Sequence, residues 1–209
     1  MTEAEVAALA EPVPGFMPEE EGLALHRAAL AAAERGPLLE IGSWCGKSAV
    51  YLGTACRERG TVLFTVDHHR GSEENQPGEQ YHDPRFVDPD TGLVDTLPCL
   101  RHTLRMTQLD GCVIPLIGAS ETVARHWRTP LALVFIDGGH SLDAVRADYA
   151  GWAPRLMPAG LLAIHDVFPD PSAGGRPPFL VYQEALASGL FAEVSQTGSL
   201  RVLRRLPMR

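Results

Sequence analysis

The sequence predicts an α/β fold: a parallel, doubly wound sheet of seven strands that ends in an antiparallel hairpin. Two observations predict it. From residue 37 onward, short apolar runs alternate with helical patterns, the rhythm of repeated strand–helix–strand units. The last two runs, Phe191–Ser195 and Ser199–Arg204, are separated only by Gln196-Thr197-Gly198. That connection is too short for a crossover helix, so these two strands pair antiparallel.

The elements follow in order. Residues 3–35 hold one or two helices, broken at Pro12-Val13-Pro14-Gly15. Leu23, Leu25, Ala28, Ala29 and Ala32 recur at helical spacing before Gly36-Pro37 ends the pattern. Residues 1–36 are therefore read as a helical cap, and 37–205 as the main domain. The first strand, from Leu38, ends at Glu40-Ile41, and a second runs from Thr61 to Asp67. A third, Val113 to Ile117, ends in Gly118-Ala119-Ser120-Glu121. The fourth, Leu131 to Ile136, ends in Asp137-Gly138-Gly139-His140, and the fifth, Gly160 to Ile164, in His165-Asp166. Helices are predicted near 46–59, 98–108, 120–127, 141–152 and 177–188. All five parallel strands carry polar residues at their carboxyl ends, where open α/β sheets bind ligands. Trp127 and Trp152 are read as core. Trp44 packs either on a ligand or on the helix behind it.

Glu40-Ile41-Gly42-Ser43-Trp44-Cys45-Gly46-Lys47-Ser48 is a strand turning tightly into a helix, with backbone exposed where a ligand can lie. A Walker A loop needs four residues between its first glycine and Gly-Lys-Ser, and a dinucleotide fingerprint needs three glycines. Neither spacing is present. An E-x-G-x-x-x-G turn that binds S-adenosylmethionine is satisfied. An acid at the tip of the second strand, here Asp67, is what grips a ribose diol in folds of this kind.

On these residues the chain resembles the Rossmann-like class I S-adenosylmethionine-dependent methyltransferases, over residues 37–205. Glu40-Ile41-Gly42-x-x-Cys45-Gly46-x-Ser48-Ala49-Val50 is similar to the first motif of the metal-dependent catechol-type O-methyltransferases, and Gly118-Ala119-Ser120 to their adenine-side motif. Small bacterial sugar O-methyltransferases acting on rhamnosyl or mannosyl hydroxyls are also similar. The resemblance implies cofactor contacts from Glu40, Gly42, Ser43, Gly46, Ser48, Asp67, His68, Gly118, Ala119, Ser120 and Asp137. It implies an acid after strand four, here Asp137, and a pair after strand five, here His165-Asp166, as ligands of Mg²⁺ or, given the imidazole, Mn²⁺. It places the general base, a lysine in that family, at His140.

The chemistry is in-line displacement on a sulfonium carbon. A hydroxyl acceptor needs a base, a metal or both, because its own pKa lies far above 7. Residues 68–97 are polar and rich in Pro, Gly and Asp, a structureless loop by composition that leaves from the ribose-side strand end. They are read as a lid, with Arg70, Glu73, Tyr81 and His82 as the side chains that would hydrogen-bond an acceptor. A second Pro/Gly-rich segment, 170–178, follows strand five. Aromatic content of 7% and the polar lid favour a sugar, a mannoside or rhamnoside, over a phenol. A non-catalytic protein that binds the cofactor is the alternative of a different class.

The formal net charge of −8 disfavours nucleic acid as acceptor. The apolar fraction of 45% is ordinary for a globular domain. No apolar run has membrane-spanning length, and the acidic start, Met1-Thr2-Glu3-Ala4-Glu5, lacks a signal-peptide basic region. Cys45, Cys56, Cys99 and Cys112 show no paired spacing, so reduced thiols in a cytoplasmic protein are expected. A homodimer built on the N-terminal helices is expected to bind a small-molecule acceptor.

Overall fold

A computed structural model of the chain describes residues 1–79, 81–139 and 141–207. Seven strands form one sheet: β1 (Leu38–Ile41), β2 (Leu63–Asp67), β3 (Val113–Ile117), β4 (Leu131–Ile136), β5 (Leu156–Ile164), β6 (Phe191–Thr197) and β7 (Leu200–Arg205). Their order is β3-β2-β1-β4-β5-β7-β6. The first five are parallel, and β7 is antiparallel to both β5 and β6. This is the predicted Rossmann-like methyltransferase topology. The strand order reverses between β1 and β4, so a crevice opens at their carboxyl ends.

Seven helices cover the sheet: α1 (Glu3–Ala10), α2 (Glu19–Ala33), α3 (Lys47–Arg59), α4 (Leu97–Met106), α5 (Ser120–His126), α6 (Leu142–Trp152) and α7 (Pro177–Ala187). Successive strand residues point to opposite faces, and both faces are apolar. Leu38, Leu63, Leu133, Phe135, Ala163 and Val202 pack under α1 to α4. Leu39, Ile41, Val66, Val134, Ile136 and Leu203 pack under α5 to α7. All six residues of β4 are buried, as a central parallel strand requires. Trp152 is fully buried and meets Trp127 edge-on, with ring centroids 5.6 Å apart.

The N-terminal helices share this core. Val6, Ala10, Leu25, Ala29 and Ala32 belong to the same apolar cluster as α3 and the sheet. Tyr51 of α3 fits into the space left by Gly22, where a Cβ would come within 2.3 Å of its ring. No helix among the described residues is long and apolar enough to cross a membrane.

Three predicted features need correction. β5 begins at Leu156, earlier than Gly160, because the 3-10 turn Ala153–Arg155 leads straight into it. The final turn is the two-residue Gly198-Ser199, shorter than the expected 196–198, because β6 runs on to Thr197 and β7 begins at Leu200. Residues 68–97 are not structureless. They contain short 3-10 turns at Glu73–Asn75 and Pro84–Phe86, and a bridge between Val87 and Val94. The Gln76 amide donates to the carbonyls of Arg70, Gly71 and Ser72 at 3.1, 3.3 and 2.9 Å. Ser72 donates N–H and O–H to Asn75 Oδ1. Short polar side chains bonding to nearby backbone give the loop a fixed path that composition alone does not reveal.

Candidate active site

The crevice begins where β1 ends. Gly42, at φ +88°, brings the backbone so close to β4 that a Cβ would sit 2.1 Å from the Asp137 carbonyl oxygen. Only glycine fits. Gly46, at φ +90°, starts α3 with no side-chain cap, so the first N–H groups of that helix face the crevice. Asp67 stitches the loop to β2. Its Oδ2 accepts the N–H of Ser43 at 2.9 Å and of Trp44 at 3.0 Å, and its Oδ1 accepts that of His69 at 2.7 Å. Asp67 thus shapes the glycine loop, and its Oδ1, with one N–H donor, keeps acceptor capacity to spare. Asp67→Ala is expected to weaken S-adenosylmethionine binding roughly 30- to 1000-fold by calorimetry, the loss of about 2–4 kcal/mol of charge-assisted hydrogen bonding. Unchanged affinity would remove Asp67 from the site.

Glu40 is fully buried beneath this loop. Thr65 Oγ1 donates to its Oε2 at 2.6 Å, and Ser43 and Thr65 share a very short hydroxyl contact. Its Oε1 has no partner. Burial, reinforced by the charges of Asp137 and Asp67 and opposed by hydrogen bonds from Ser48 and Thr65, raises its pKa to about 7. A buried carboxyl whose second oxygen has no hydrogen-bond partner has spare acceptor capacity.

The adenine-side residues behave unequally. Gly118 donates its N–H to the Asp67 carbonyl at 3.0 Å and so ties β3 to β2. Ala119 is exposed. The Ser120 hydroxyl donates to Asp148 Oδ1 at 2.5 Å and accepts from Trp152 Nε1 at 2.8 Å, so it braces α5 against α6. Burial raises the pKa of Asp148 to about 6 against that hydrogen bond. The His68 side chain is exposed, and its Nδ1 accepts the Arg70 N–H.

Asp137, His165 and Asp166 converge at the ends of β4 and β5, with one possible ligand atom from each all within 4.8 Å of one another. His165 Nδ1 is 3.0 Å from Asp137 Oδ1 and 3.5 Å from Asp166 Oδ1. Asp166 sits in the left-handed region at φ +55°, a strained backbone for a non-glycine residue and one that Asp tolerates. His165 Nε2 is 2.7 Å from Glu21 Oε2 of α2. Glu21 also accepts the Ser199 N–H at 2.8 Å and its hydroxyl at 2.9 Å. Burial works against the charged forms of both residues. The Asp137, Asp166 and Glu21 carboxylates overcome it and lift His165 to about 12, while the His165 and Ser199 hydrogen bonds hold Glu21 below the usual carboxylate range. Sequence reasoning missed Glu21. It is the last of three acids, Glu19-Glu20-Glu21, at a helix start, where acids are expected for the helix dipole alone.

His140 lies outside the described residues. Of the expected acceptor side chains, Arg70 and Glu73 are exposed, and His82 Nδ1 is 3.0 Å from the Asn75 carbonyl within its own loop. Tyr81 meets Phe16 edge-on at 5.4 Å; Phe16 lies 6.5 Å from Trp44, which meets Phe86 at 5.3 Å. Four aromatic rings from three segments thus line the outside of the glycine loop. Overall aromatic content is a poor guide here, because these four rings meet beside the glycine loop.

A family model described as a methyltransferase domain matches residues 39–167. Among solved structures, the O-methyltransferase TomG from Streptomyces achromogenes, involved in tomaymycin synthesis and determined with SAM, is similar at a TM-score of 0.64 and 15% identity, over 98% of this chain and 89% of that one. An O-methyltransferase from Bacillus cereus in complex with SAH gives 0.64 and 15%, over 98% and 89%. The O-methyltransferase NovP gives 0.64 and 15%, over 88% and 80%. These likenesses speak for the fold. The family match spans most of the chain, from β1 to the end of β5, and covers the glycine loop, Asp67 and the Asp137–His165–Asp166 cluster: the chain belongs to the methyltransferase domain family.

Proposed function

We propose that the chain is an S-adenosylmethionine-dependent O-methyltransferase that methylates a hydroxyl of a small polar acceptor, preferably a sugar such as a mannoside or rhamnoside, with a divalent cation held by Asp137, His165 and Asp166. The convergence of those three side chains beside Gly42 carries this reading. The residues fit both groups. The orphaned Glu40 oxygen suits the ammonium of the methionyl moiety, the open start of α3 suits its carboxylate, and Asp67 Oδ1 suits a ribose hydroxyl. Two carboxylates and an imidazole suit Mn²⁺ as well as Mg²⁺.

When bound, S-adenosylmethionine supplies an activated methyl group, and the cation lowers the pKa of the acceptor hydroxyl and orients it. The chain's own residues do the rest. The glycine loop fixes the donor, and Asp137 and Asp166 set the direction from which the acceptor oxygen approaches. The acceptor oxygen would take the methyl carbon in line, with the donor sulfur leaving as a neutral thioether, and the hydroxyl proton would pass to a base, proposed to be His140. Ser72 reaches over the crevice, its Cβ 3.8 Å from the position of a Cβ on Gly139, which supports a covering role for the 68–97 segment.

One observation favours a second acceptor class. The rings of Phe16, Trp44, Tyr81 and Phe86 offer an aromatic wall that would stack on a catechol as well as on the apolar face of a sugar. The test is transfer of labelled methyl from S-adenosylmethionine to a panel of mannosides, rhamnosides and catechols, with and without EDTA. Label in a sugar, lost in EDTA and restored by Mn²⁺ or Mg²⁺, is expected. Label only in catechols establishes the second acceptor class, and full activity in chelator removes the cation.

A further inference from the structure

We propose that Glu21 is a positioning residue for this reaction: by holding the Nε2–H of His165 it leaves Nδ1, whose proton a cation would displace, as the ring nitrogen that faces Asp137 and Asp166. This inference rests on the metal-dependent reading above and assigns the N-terminal helix α2 a part in the chemistry.

The geometry carries it. His165 offers two ring nitrogens, and only one can serve a cation shared with Asp137 and Asp166. Nδ1 faces both carboxylates at 3.0 and 3.5 Å. The 3.0 Å contact is a hydrogen bond in the metal-free site, and two ligands about 2.1 Å from one ion at right angles are also about 3 Å apart, so a cation could replace the shared proton with little movement. Nε2 faces Glu21 at 2.7 Å. A ligating histidine typically donates its other ring N–H to a carboxylate, which fixes the tautomer and raises the basicity of the ligating nitrogen.

Glu21 is built to stay in that place. It is 5% exposed, and Ser199 donates to both of its oxygens, through N–H and through the hydroxyl. Gly198 keeps the space open, since a Cβ there would lie 2.0 Å from Glu21 Oε1. The carboxylate is thus pinned away from Asp137 and cannot swing across to join the ion itself. Without it, the buried Nε2–H would lack an acceptor. The ring would then favour the tautomer that donates from Nδ1 to Asp137 and closes the coordination site.

The experiment uses the full chain, with Mn²⁺ titrated by electron paramagnetic resonance and the His165 tautomer read from imidazole ¹⁵N shifts in the Mg²⁺-saturated protein. Glu21→Ala is expected to weaken Mn²⁺ binding roughly 10- to 100-fold, the usual effect of losing an outer-shell partner, with S-adenosylmethionine affinity unchanged. Glu21→Gln, whose amide oxygen accepts the same proton, should recover most of that loss, and the ring should be protonated at Nε2 in the parent and in Glu21→Gln. Equal Mn²⁺ affinity in Glu21→Ala and the parent overturns the role of Glu21 and leaves the metal site standing. No Mn²⁺ binding by the parent overturns the metal site and this inference together. If Glu21→Ala does not fold, Glu21→Gln decides: a ring protonated at Nδ1 in that variant overturns the proposal.

Discussion

Replacing Asp137 with Asn is expected to lower turnover roughly 10³-fold or more while S-adenosylmethionine still binds. Asp137 is half-buried at the end of β4, and its Oδ1 is 3.0 Å from His165 Nδ1. The amide keeps the shape and loses the charge that makes the carboxylate a good ligand for a hard cation. A bound cation contributes several kcal/mol to transition-state charge stabilisation, and about 4 kcal/mol corresponds to ~10³ in rate. Three measurements separate the causes: kcat, Mn²⁺ binding, and calorimetry with S-adenosylmethionine. Lost Mn²⁺ binding with intact donor affinity places Asp137 on the acceptor side of the reaction. A variant that retains kcat within tenfold of the parent would show that the cluster only braces β4 against β5.

Glu40→Gln should have two opposite effects. On the proposed cofactor site it should weaken S-adenosylmethionine about 10- to 150-fold, because an amide would replace the buried carboxylate proposed to meet the ligand ammonium and a hydrogen bond to a charged group contributes about 1.5–3 kcal/mol. It should also make the ligand-free protein more stable above neutral pH. The folded-state pKa of Glu40 is raised from 4.5 to about 7, so its contribution to stability is fully present below 4.5 and is lost as pH climbs through 7. The loss approaches about 3 kcal/mol, at about 1.4 kcal/mol per pKa unit. The parent should therefore melt lower at pH 8 than at pH 5.5, by a margin that narrows in Glu40→Gln and closes when S-adenosylmethionine is added. Asp148 and His165 also have raised pKa values and add slope in the same direction, which is why the comparison is made between parent and variant. Donor affinity in the parent should rise with pH through about 7. A pH-independent affinity would mean that Glu40 does not meet the ammonium.

The sheet was legible because its strands are short, apolar and separated by glycine- or proline-marked turns. β4 reads Leu-Ala-Leu-Val-Phe-Ile and admits no other role than a central strand. Gly42, Asp67 and Asp137 were legible because strand ends in such sheets are where ligands bind, and an acid there stands out against apolar neighbours. Glu21 was not, since its contact with the site is to a partner 144 residues away, with no local pattern to mark it. Ser120 illustrates the converse. Its motif resembles a cofactor-binding one, and its hydroxyl also has a structural role unseen in sequence, held by Asp148 and Trp152 from a helix that spacing could not aim. The aromatic wall was hidden for the same reason: Phe16, Trp44, Tyr81 and Phe86 are scattered in sequence and meet only because the α1–α2 connection and the 68–97 segment fold over one loop.

If Glu21 positions His165 as proposed, its bonds to Ser199 would also set when, during synthesis, the protein becomes competent. A nascent chain that has left the ribosome through Asp166, just past β5, already carries Asp137, His165 and Asp166. It still lacks Ser199, 178 residues beyond Glu21, whose N–H and hydroxyl steady that carboxylate. Because long-range closures form late, the histidine would remain unanchored until the last hairpin emerges. Cation capture would then be among the final events of folding, and an arrested or prematurely terminated chain would bind the ion poorly even with every ligand present.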